Sequence, residues 1–281
     1  MYKIVKKRSL IPGQTSMIEI AAPQIAAKAK PGNFVILRVH DKGERIPLTI
    51  ADTDPEAGTI TLVYLVVGKT TAHLETLNQG DSLPDVCGPL GKPTHIEKQG
   101  TVVCVGGGTG VAAMHHIAKG HHRAGNRVIA IVGARSKDLL LFCDELADFC
   151  PEVRIATDDG SEGHKGFVTQ VLETLIAEGG EISEVVAVGP VPMMRAVAEV
   201  TRPHKIKTTV SLNSIMVDGI GMCGACRCTV GGETRFACVD GPEFDGHQVD
   251  FDELWRRLGQ FRTQETESKE LFHQCRCGEG K

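Results

Sequence analysis

The chain has 281 residues, enough for more than one hydrophobic core, and its 41% apolar and 23% charged residues are typical of a globular protein. A net charge of −4 and only 4% aromatic residues argue against a nucleic-acid-binding surface. No apolar run approaches the roughly 20 residues that span a bilayer, and the N-terminus MYKIVKKRSLIPG lacks the apolar centre of a signal peptide. We therefore expect a cytoplasmic protein with neither membrane nor nucleic-acid partners. In that compartment its ten cysteines serve as metal ligands or buried side chains rather than disulfides.

Residues 1–97 carry the pattern of an antiparallel β-barrel. Short apolar or alternating runs (SMIEIAA, NFVILRV, RIPLTIA and TITLVYLVV) are separated by turn sequences such as PGQ, PGN and DPEAG. Several short strands closed on themselves form a small barrel. The sequence therefore predicts a first domain over 1–97.

Near residue 100 the pattern becomes that of a doubly wound α/β domain, which we place at 98–212. Short apolar strands (TVVCV, RVIAIVGA, EVRIAT, EVVAVGP and KTTVSL) alternate with helical patterns. The predicted helices lie at about 109–122, 137–149, 166–178 and 191–203. Strands that are apolar on both faces and alternate with helices predict a parallel sheet. A Gly- and Cys-rich subdomain follows at 213–250, and 251–281 reads as a charged helix over 251–272 with a short tail.

A Gly-rich turn, GGGTG at 106–110, follows the first strand of the α/β half and precedes a helical pattern. Glycines let the backbone approach a pyrophosphate closely, and a helix N-terminus offers free N–H groups to it. Val111 departs from the usual GxGxxG fingerprint, so a tight turn without a ligand stays open as the alternative. Five small residues in succession favour the nucleotide.

Two later loops support a nucleotide site. VGPVPMM places Gly189 and Pro190 at the end of another strand, and TDDGSEGHKGFVT follows a third. Because ligands of open α/β sheets bind beyond the carboxyl ends of the strands, these loops predict one crevice. Arg135, after RVIAIVGA, is placed to meet a ribose or phosphate. No acidic residue directly follows that strand, so the pattern does not distinguish NAD from NADP.

Two histidine pairs lie in or just after the first predicted helix of the α/β half, at 115–116 and 121–122. No complementary ligand pattern accompanies them. We interpret these histidines as solvated or capping side chains in preference to metal ligands.

The barrel half contains two motifs that are weak singly: RIPLTI (45–50) and VVGKTT (66–71). The first puts an Arg and a Thr on a Pro-kinked strand, and the second reads as a Gly-Lys-Thr-Thr turn whose N–H and hydroxyl groups suit a pyrophosphate. Their combination with GPLGKP, GGGTG and DGIGMCGAC resembles the ferredoxin–NADP reductase superfamily, and within it the electron-transfer subunits that carry FAD and a [2Fe-2S] cluster. Nearly all of residues 1–250 is similar to the small (alpha) subunits of NADH-dependent reduced ferredoxin:NADP+ oxidoreductases, also known as sulfide dehydrogenase beta subunits.

The resemblance implies two sets of cofactor-binding residues. Those for FAD are Arg45, Pro47, Leu48 and Thr49 near the isoalloxazine, and Gly68, Lys69, Thr70 and Thr71 at the pyrophosphate. Those for the nicotinamide dinucleotide are Gly107, Gly108, Thr109, Gly110, Asp158, Asp159, Gly160, Gly189, Pro190 and Met193. Many members of the superfamily carry a Tyr in the flavin-strand motif, where this chain has Pro47 and Leu48.

A plant-type [2Fe-2S] site uses the spacing C-x4-C-x2-C…C. Counting back from Cys226 gives Cys223 and then position 218, which is Asp, while Cys238 supplies the remote thiol. An Asp oxygen is a harder ligand than thiolate but is competent for iron. The resemblance to the small subunits supports this choice, so we favour Asp218, Cys223, Cys226 and Cys238 as the ligands.

Cys228 leaves a rival ligand set open, in which it replaces Asp218 and the aspartate is a turn residue. On an extended segment, however, Cys228 alternates with Cys226, so its side chain should point the other way. A structural zinc site is a further alternative, although the spacing fits it less well. In the tail, His273, Cys275 and Cys277 read as incidental or partner-facing rather than a second cluster.

The resemblance implies an NAD(H)-dependent oxidoreductase subunit in which FAD takes a hydride from NADH and passes single electrons to the cluster. It implies a heterodimer with a larger flavoprotein subunit, similar to the small subunit of glutamate synthase and holding further iron–sulfur clusters. Ferredoxin reacts through that complex, and the reaction is electron bifurcation to NADP+. The alternatives are the electron-transfer subunit of dihydroorotate dehydrogenase B and a non-enzymatic iron–sulfur carrier.

Overall fold

The structure is a computed structural model that describes the backbone of residues 1–278 and the side chains of residues 1–272. Seven of the described strands form one antiparallel sheet: β1 Tyr2–Ile11, β2 Thr15–Ala21, β3 Phe34–Arg38, β4 Ile46–Asp54, β5 Thr59–Leu65, β6 Ser82–Leu83 and β7 Asp85–Leu90. Two helices accompany it: α1 Pro23–Ala26 and α2 Lys69–Thr76.

The first sheet is a nearly closed barrel with the strand order β6-β1-β2-β5-β4-β3-β7. Its edge strands β6 and β7 are separated only by Pro84, so the two ends of the sheet meet. Buried Ile, Leu and Val side chains fill the interior. The predicted barrel is therefore confirmed. The sequence reading missed β1, because the lysines of KIVKKR obscure its alternating pattern.

A second seven-stranded sheet follows the barrel in the described chain. Its strands and the helices between them are β8 Thr101–Gly107, α3 Gly110–Arg123, β9 Arg127–Ala134, α4 Cys143–Ala147, β10 Glu152–Thr157, β11 His164–Lys165, α5 Val168–Ala177, β12 Glu184–Val188, α6 Val191–Thr201, β13 Lys207–Ser211 and β16 Glu243–Asp245. The order is β11-β10-β9-β8-β12-β13-β16, and all pairs are parallel except β13–β16. The apolar strands predicted for this half are all present and lie between layers of helices, which confirms the doubly wound sheet.

The chain after β13 forms a small cysteine-rich unit and two terminal helices. These elements are the hairpin β14 Arg227–Val230 and β15 Glu233–Phe236, and the helices α7 Ala237–Asp240, α8 Phe251–Leu258 and α9 Arg262–Gly278. None of the helices in the described part of the chain is both long and apolar enough to cross a membrane.

Three local predictions were wrong. The helix predicted at 137–149 is reduced to a 3-10 turn over Lys137–Leu139 and to α4, because Phe142 takes a left-handed backbone with φ 58°. The terminal helix is interrupted between Leu258 and Arg262 and forms α8 and α9. VGKTT, read as a turn, begins helix α2.

Helix α3 packs against barrel strand β4, and His116 contributes to this packing. The Nδ1–H of His116 donates to the Ile50 carbonyl at 3.0 Å, and Lys119 pairs with Asp52 at 2.6 Å. His115 contacts the rings of Phe142 and Phe149. His115, His116 and His121 are all buried, so the prediction of solvated or capping histidines was wrong for three of the four. They are core residues of an amphipathic helix.

Burial lowers the pKa of His115, His116 and His121, so these side chains are neutral in the folded protein at neutral pH. The unfolded chain takes up protons below about pH 6.5, before the folded chain does. We therefore expect stability to fall from about pH 6.5 downwards, by up to about 1.4 kcal/mol per pH unit for each such histidine.

Melting temperatures of wild type and His116→Gln at pH 7.5 and 5.5 test this expectation. The amide of Gln can still donate to Ile50 but does not titrate, so the difference between the two pH values should shrink. The exposed His122→Gln is the matched control and should behave as wild type. An equal pH effect in all three proteins would contradict the prediction.

Candidate functional site

The first half of strand β4 leaves one backbone edge open. Residues 46–49 pair with β3, whereas pairing with β5 begins only at Ile50. Pro47 is compatible with this position because it has no N–H to offer a second strand. Arg45 is exposed just before the strand, and Pro47, Leu48 and Thr49 are half-buried. This segment therefore presents backbone and side-chain groups to a flat ligand that lies along the edge.

The second predicted flavin motif forms the N-terminus of α2, with Gly68 as the N-cap. Thr71 Oγ1 accepts hydrogen bonds from the N–H groups of Val67 and Gly68, both at 3.1 Å, and so fixes the turn. The Glu44 carboxylate accepts from Thr70 Oγ1 at 2.9 Å and lies 3.7 Å from Lys69 Nζ. A carboxylate of the chain itself thus already contacts these two groups, which are a hydroxyl donor and a cation of the kind that also bind phosphates.

A cavity of about 610 Å³ lies beyond the carboxyl ends of the parallel strands. It brings together seven of the predicted nucleotide residues: Gly107, Gly108, Thr109, Arg135, Asp158, Pro190 and Met193. The other four are sequence neighbours of these lining residues, and the local backbone or a hydrogen bond accounts for each of them. Gly110 and Gly189 approach neighbouring backbone, Gly160 takes φ 78°, and the exposed Asp159 carboxylate accepts from the N–H and hydroxyl of Ser161. These hydrogen bonds lower the pKa of Asp159.

Close backbone packing explains the Gly-rich turn at the start of α3. A Cβ on Gly110 would lie 2.5 Å from the Val188 carbonyl oxygen, so only glycine lets the helix begin this close to β12. The Met193 side chain lies over Gly107, where a Cβ would come within 2.5 Å of its sulfur. The turn is thereby held against the loop that follows β12, and both border the cavity.

Sequence reading missed the wall of the cavity that the barrel supplies. Ile11, Gln14, Thr15 and Leu65 line it from β1, β2, β5 and the intervening turn. Phe167, 66% exposed, lines the opposite side. The sequence carries no signal for this wall, because a contact between domains leaves no periodic pattern, and the exposure of the apolar Leu65 and Phe167 is known only from the structure. The cavity therefore lies between barrel and α/β sheet.

The predicted metal ligands lie in two pairs. Cys226 and Cys238 are buried with their sulfurs 3.2 Å apart, and burial raises the pKa of Cys238 to about 12. The Asp218 carboxylate accepts from the N–H groups of Ile220 at 2.9 Å and Cys223 at 2.6 Å, which lowers its pKa. Among the described residues, no group of three or more His, Cys, Asp or Glu side chains forms a ready metal site.

The donor set nevertheless fits a two-iron centre, in which each iron takes two protein ligands. Cys228 points elsewhere: its thiol donates to the Arg235 carbonyl at 3.7 Å across the β14–β15 hairpin, and burial raises its pKa to about 11. The hydrogen bonds of Asp218 are also those of a turn residue, so they are compatible with Asp218 as an iron ligand and with Asp218 as a turn residue.

The cysteine loop rests on the barrel. Gly219 has φ 74°, and a Cβ there would lie 2.7 Å from Leu90 Cδ1 and 3.1 Å from the Ile36 side chain. Glycine is therefore required both by the backbone and by the contact. The cavity and this loop therefore both border the barrel, which also carries the open edge of β4.

Comparisons with known proteins agree with this arrangement. Residues 213–250 match the model of the iron–sulfur cluster binding domain of dihydroorotate dehydrogenase B. A Thermotoga maritima homologue of the dihydroorotate dehydrogenase B (NAD+) electron transfer subunit is 50% identical over 253 residues, 90% of this chain and 89% of its own. The electron transfer subunit from Bacillus caldolyticus is 36% identical over 254 residues, 87% of this chain and 96% of its own.

A solved structure of an NADH-dependent reduced ferredoxin–NADP oxidoreductase, studied for flavin-based electron bifurcation, matches with a TM-score of 0.92. That chain is 47% identical, and the match covers 97% of this chain and 98% of the other. The fold is that of the ferredoxin–NADP reductase type with an added iron–sulfur cluster binding domain. The chain belongs to the family of dihydroorotate dehydrogenase B electron transfer subunits and their homologues.

The close packing of Gly110 predicts a specific defect in nucleotide binding. Gly110→Ala forces the start of α3 away from Val188, at a cost of about 1–3 kcal/mol, and should weaken NADH binding roughly tenfold or more. Titration calorimetry of the anaerobic protein measures the dissociation constant. Gly180→Ala is the matched control, since no atom lies within 4 Å of its added Cβ. Equal NADH affinity in Gly110→Ala and wild type would contradict a nucleotide at this turn.

Proposed function

We propose that this chain is the electron-transfer flavoprotein subunit of an electron-bifurcating NADH/ferredoxin:NADP+ oxidoreductase complex. The observation that carries the proposal is that a single chain combines a barrel with an open β4 edge, a cavity between this barrel and an α/β sheet, and a cysteine loop that rests on the barrel. The similarity to the bifurcating oxidoreductase over 97% of the chain supports it. The cofactors are FAD, NAD(H) and a [2Fe-2S] cluster, which we assign to residues 1–97, 98–212 and 213–250 respectively.

Each cofactor has residues suited to hold it. The open edge of β4, with Arg45, Leu48 and Thr49, would orient the flavin ring. The N-terminus of α2 would bind the pyrophosphate of FAD once the Glu44 side chain moves aside. The turn at 107–110 would bring N–H groups to the dinucleotide pyrophosphate, with Arg135 and Asp158 at the same cavity. Barrel residues on the facing wall of the cavity would shield the bound dinucleotide from solvent. When bound, FAD exchanges electron pairs with NAD(H) and single electrons with the cluster.

The partner is a larger flavoprotein subunit with further iron–sulfur clusters, similar to the small subunit of glutamate synthase. The names of the homologues support a partner in general, because they are electron transfer subunits of larger enzymes. In this proposal the two chains form a heterodimer, and ferredoxin reacts through the complex.

The second candidate function is that of the electron-transfer subunit of dihydroorotate dehydrogenase B. The 47% identity to the bifurcating oxidoreductase over 97% of this chain, against 36% to the Bacillus caldolyticus subunit, favours the first proposal, while the 50% identical Thermotoga maritima protein is named as a homologue of such subunits. Asp218 also favours it, since the resemblance assigns Cys to that place in the dihydroorotate-linked subunits. Co-purification distinguishes them: a glutamate-synthase-like partner supports the first proposal, and a dihydroorotate-oxidising partner supports the second.

An NADH-dependent dye-reduction assay tests for a reductase against an iron–sulfur carrier. The as-isolated protein, yellow-brown from FAD and cluster, should reduce an artificial electron acceptor with NADH, and parallel reactions with NADPH give the nucleotide preference. Absence of both bound FAD and NADH-dependent reduction would support the carrier.

The proposed ligand set Asp218, Cys223, Cys226 and Cys238 predicts opposite results for two variants. Asp218→Ala removes an iron ligand and should disturb or abolish the EPR signal of the reduced cluster. Cys228→Ala removes a thiol bonded to the hairpin and should leave the signal nearly intact. The reverse pattern would assign the fourth position to Cys228. Zinc in place of iron in the purified protein would contradict both sets.

A further inference from the structure

Helix α8 contacts the loop between Cys223 and Cys226 through a side-chain hydrogen bond. Arg257 on α8 donates from Nη2 to the Ala225 carbonyl at 3.1 Å, a contact that joins residues 32 positions apart. The helix itself packs against β14, and Leu254 on the same helix is buried. The half-buried guanidinium is therefore fixed by packing as well as by its own hydrogen bond.

A second arginine binds the neighbouring carbonyl. Arg227 Nη1 donates to the Gly224 carbonyl at 3.2 Å, so two consecutive carbonyls of this loop face guanidinium groups. In a planar trans peptide the N–H points opposite to the C=O. The N–H groups of Ala225 and Cys226 consequently point away from the arginines.

The positive charge of Arg257 also affects the reduction potential of a cluster bound at this loop. A cluster held by thiolates and a carboxylate is anionic, and reduction adds a further negative charge. Net charge, hydrogen bonds to sulfur and exposure set the potentials of such clusters. A half-buried positive charge is screened less than an exposed one, and therefore favours the reduced state. Glu253, one turn earlier on α8, opposes it with a buried carboxylate oxygen that has no hydrogen-bond partner among the described residues.

We propose that Arg257 is a positioning residue for the [2Fe-2S] centre, which fixes the Cys223–Cys226 loop through the Ala225 carbonyl and raises the reduction potential of the cluster. This inference rests on the proposed function, because it takes the cysteine loop as the cluster site. Glu253 shifts the same potential downwards.

Redox titration of the purified complex, followed by EPR of the reduced cluster, tests the proposal. Arg257→Gln should lower the potential so that the equilibrium for reduction falls three- to tenfold, where tenfold corresponds to about 59 mV for one electron. Arg257→Lys keeps the charge and should retain most of the wild-type potential. Glu253→Gln should raise it. The matched control is Arg256→Gln, which removes the same charge from an exposed side chain that, among residues 1–272, donates to the Asp252 carbonyl of its own helix.

Equal potentials in Arg257→Gln, Arg256→Gln and wild type, with the cluster intact, would overturn the proposal. If Arg257→Gln loses its iron, retention of iron in Arg257→Lys and Arg256→Gln supports the positioning role, and equal loss in Arg256→Gln contradicts it. A wild-type protein without iron and inorganic sulfide is a different result, since it contradicts the proposed function itself.

Discussion

The packing of the barrel against the chain that follows it is the constraint on which the rest of the structure depends. Helix α3 binds strand β4 through His116 and Lys119, and the cysteine loop rests on the barrel at Gly219. These contacts hold the α/β half and the cysteine loop against the barrel that carries the open edge of β4 and one wall of the cavity. Electron transfer between separate cofactors needs such proximity, so the interface between domains is as much a part of the site as any ligand.

Strong periodic signals made much of the fold predictable. The apolar strands around TVVCV and the barrel runs such as TITLVYLVV appear as expected, because burial on one or both faces leaves a pattern in the sequence. β1 was missed because lysines interrupt its alternation. The helix expected over 137–149 failed at Phe142, whose left-handed backbone only the tertiary structure dictates. The buried histidines were misjudged for a related reason: a polar residue does not reveal that its helix faces a neighbouring domain.

The candidate site likewise contains residues that local motifs predict and residues that only the tertiary structure brings together. Local motifs predicted seven residues that meet in the cavity, but its barrel wall, including Gln14 and Leu65, could not be read from sequence because it is formed by contacts between distant segments. The cysteine spacing predicted Cys226 and Cys238 as iron ligands, and their sulfurs lie 3.2 Å apart, while extended geometry predicted that Cys228 points elsewhere. Arg257 carries no motif at all. Only the fold brings α8 against the cysteine loop, so the contact between the Arg257 guanidinium and the Ala225 carbonyl cannot be predicted from the sequence.

The central claim is that this one chain carries electrons between NAD(H) and an iron–sulfur centre through its own flavin. Anaerobic titration of the purified complex with NADH tests it most directly, with flavin absorbance and the EPR spectrum recorded on the same samples. The account predicts flavin bleaching accompanied by the signal of a reduced two-iron centre, and loss of both responses in a Gly110→Ala variant at low NADH. Bleaching by NADH in a protein that never shows a two-iron signal, even with a stronger reductant, would contradict it.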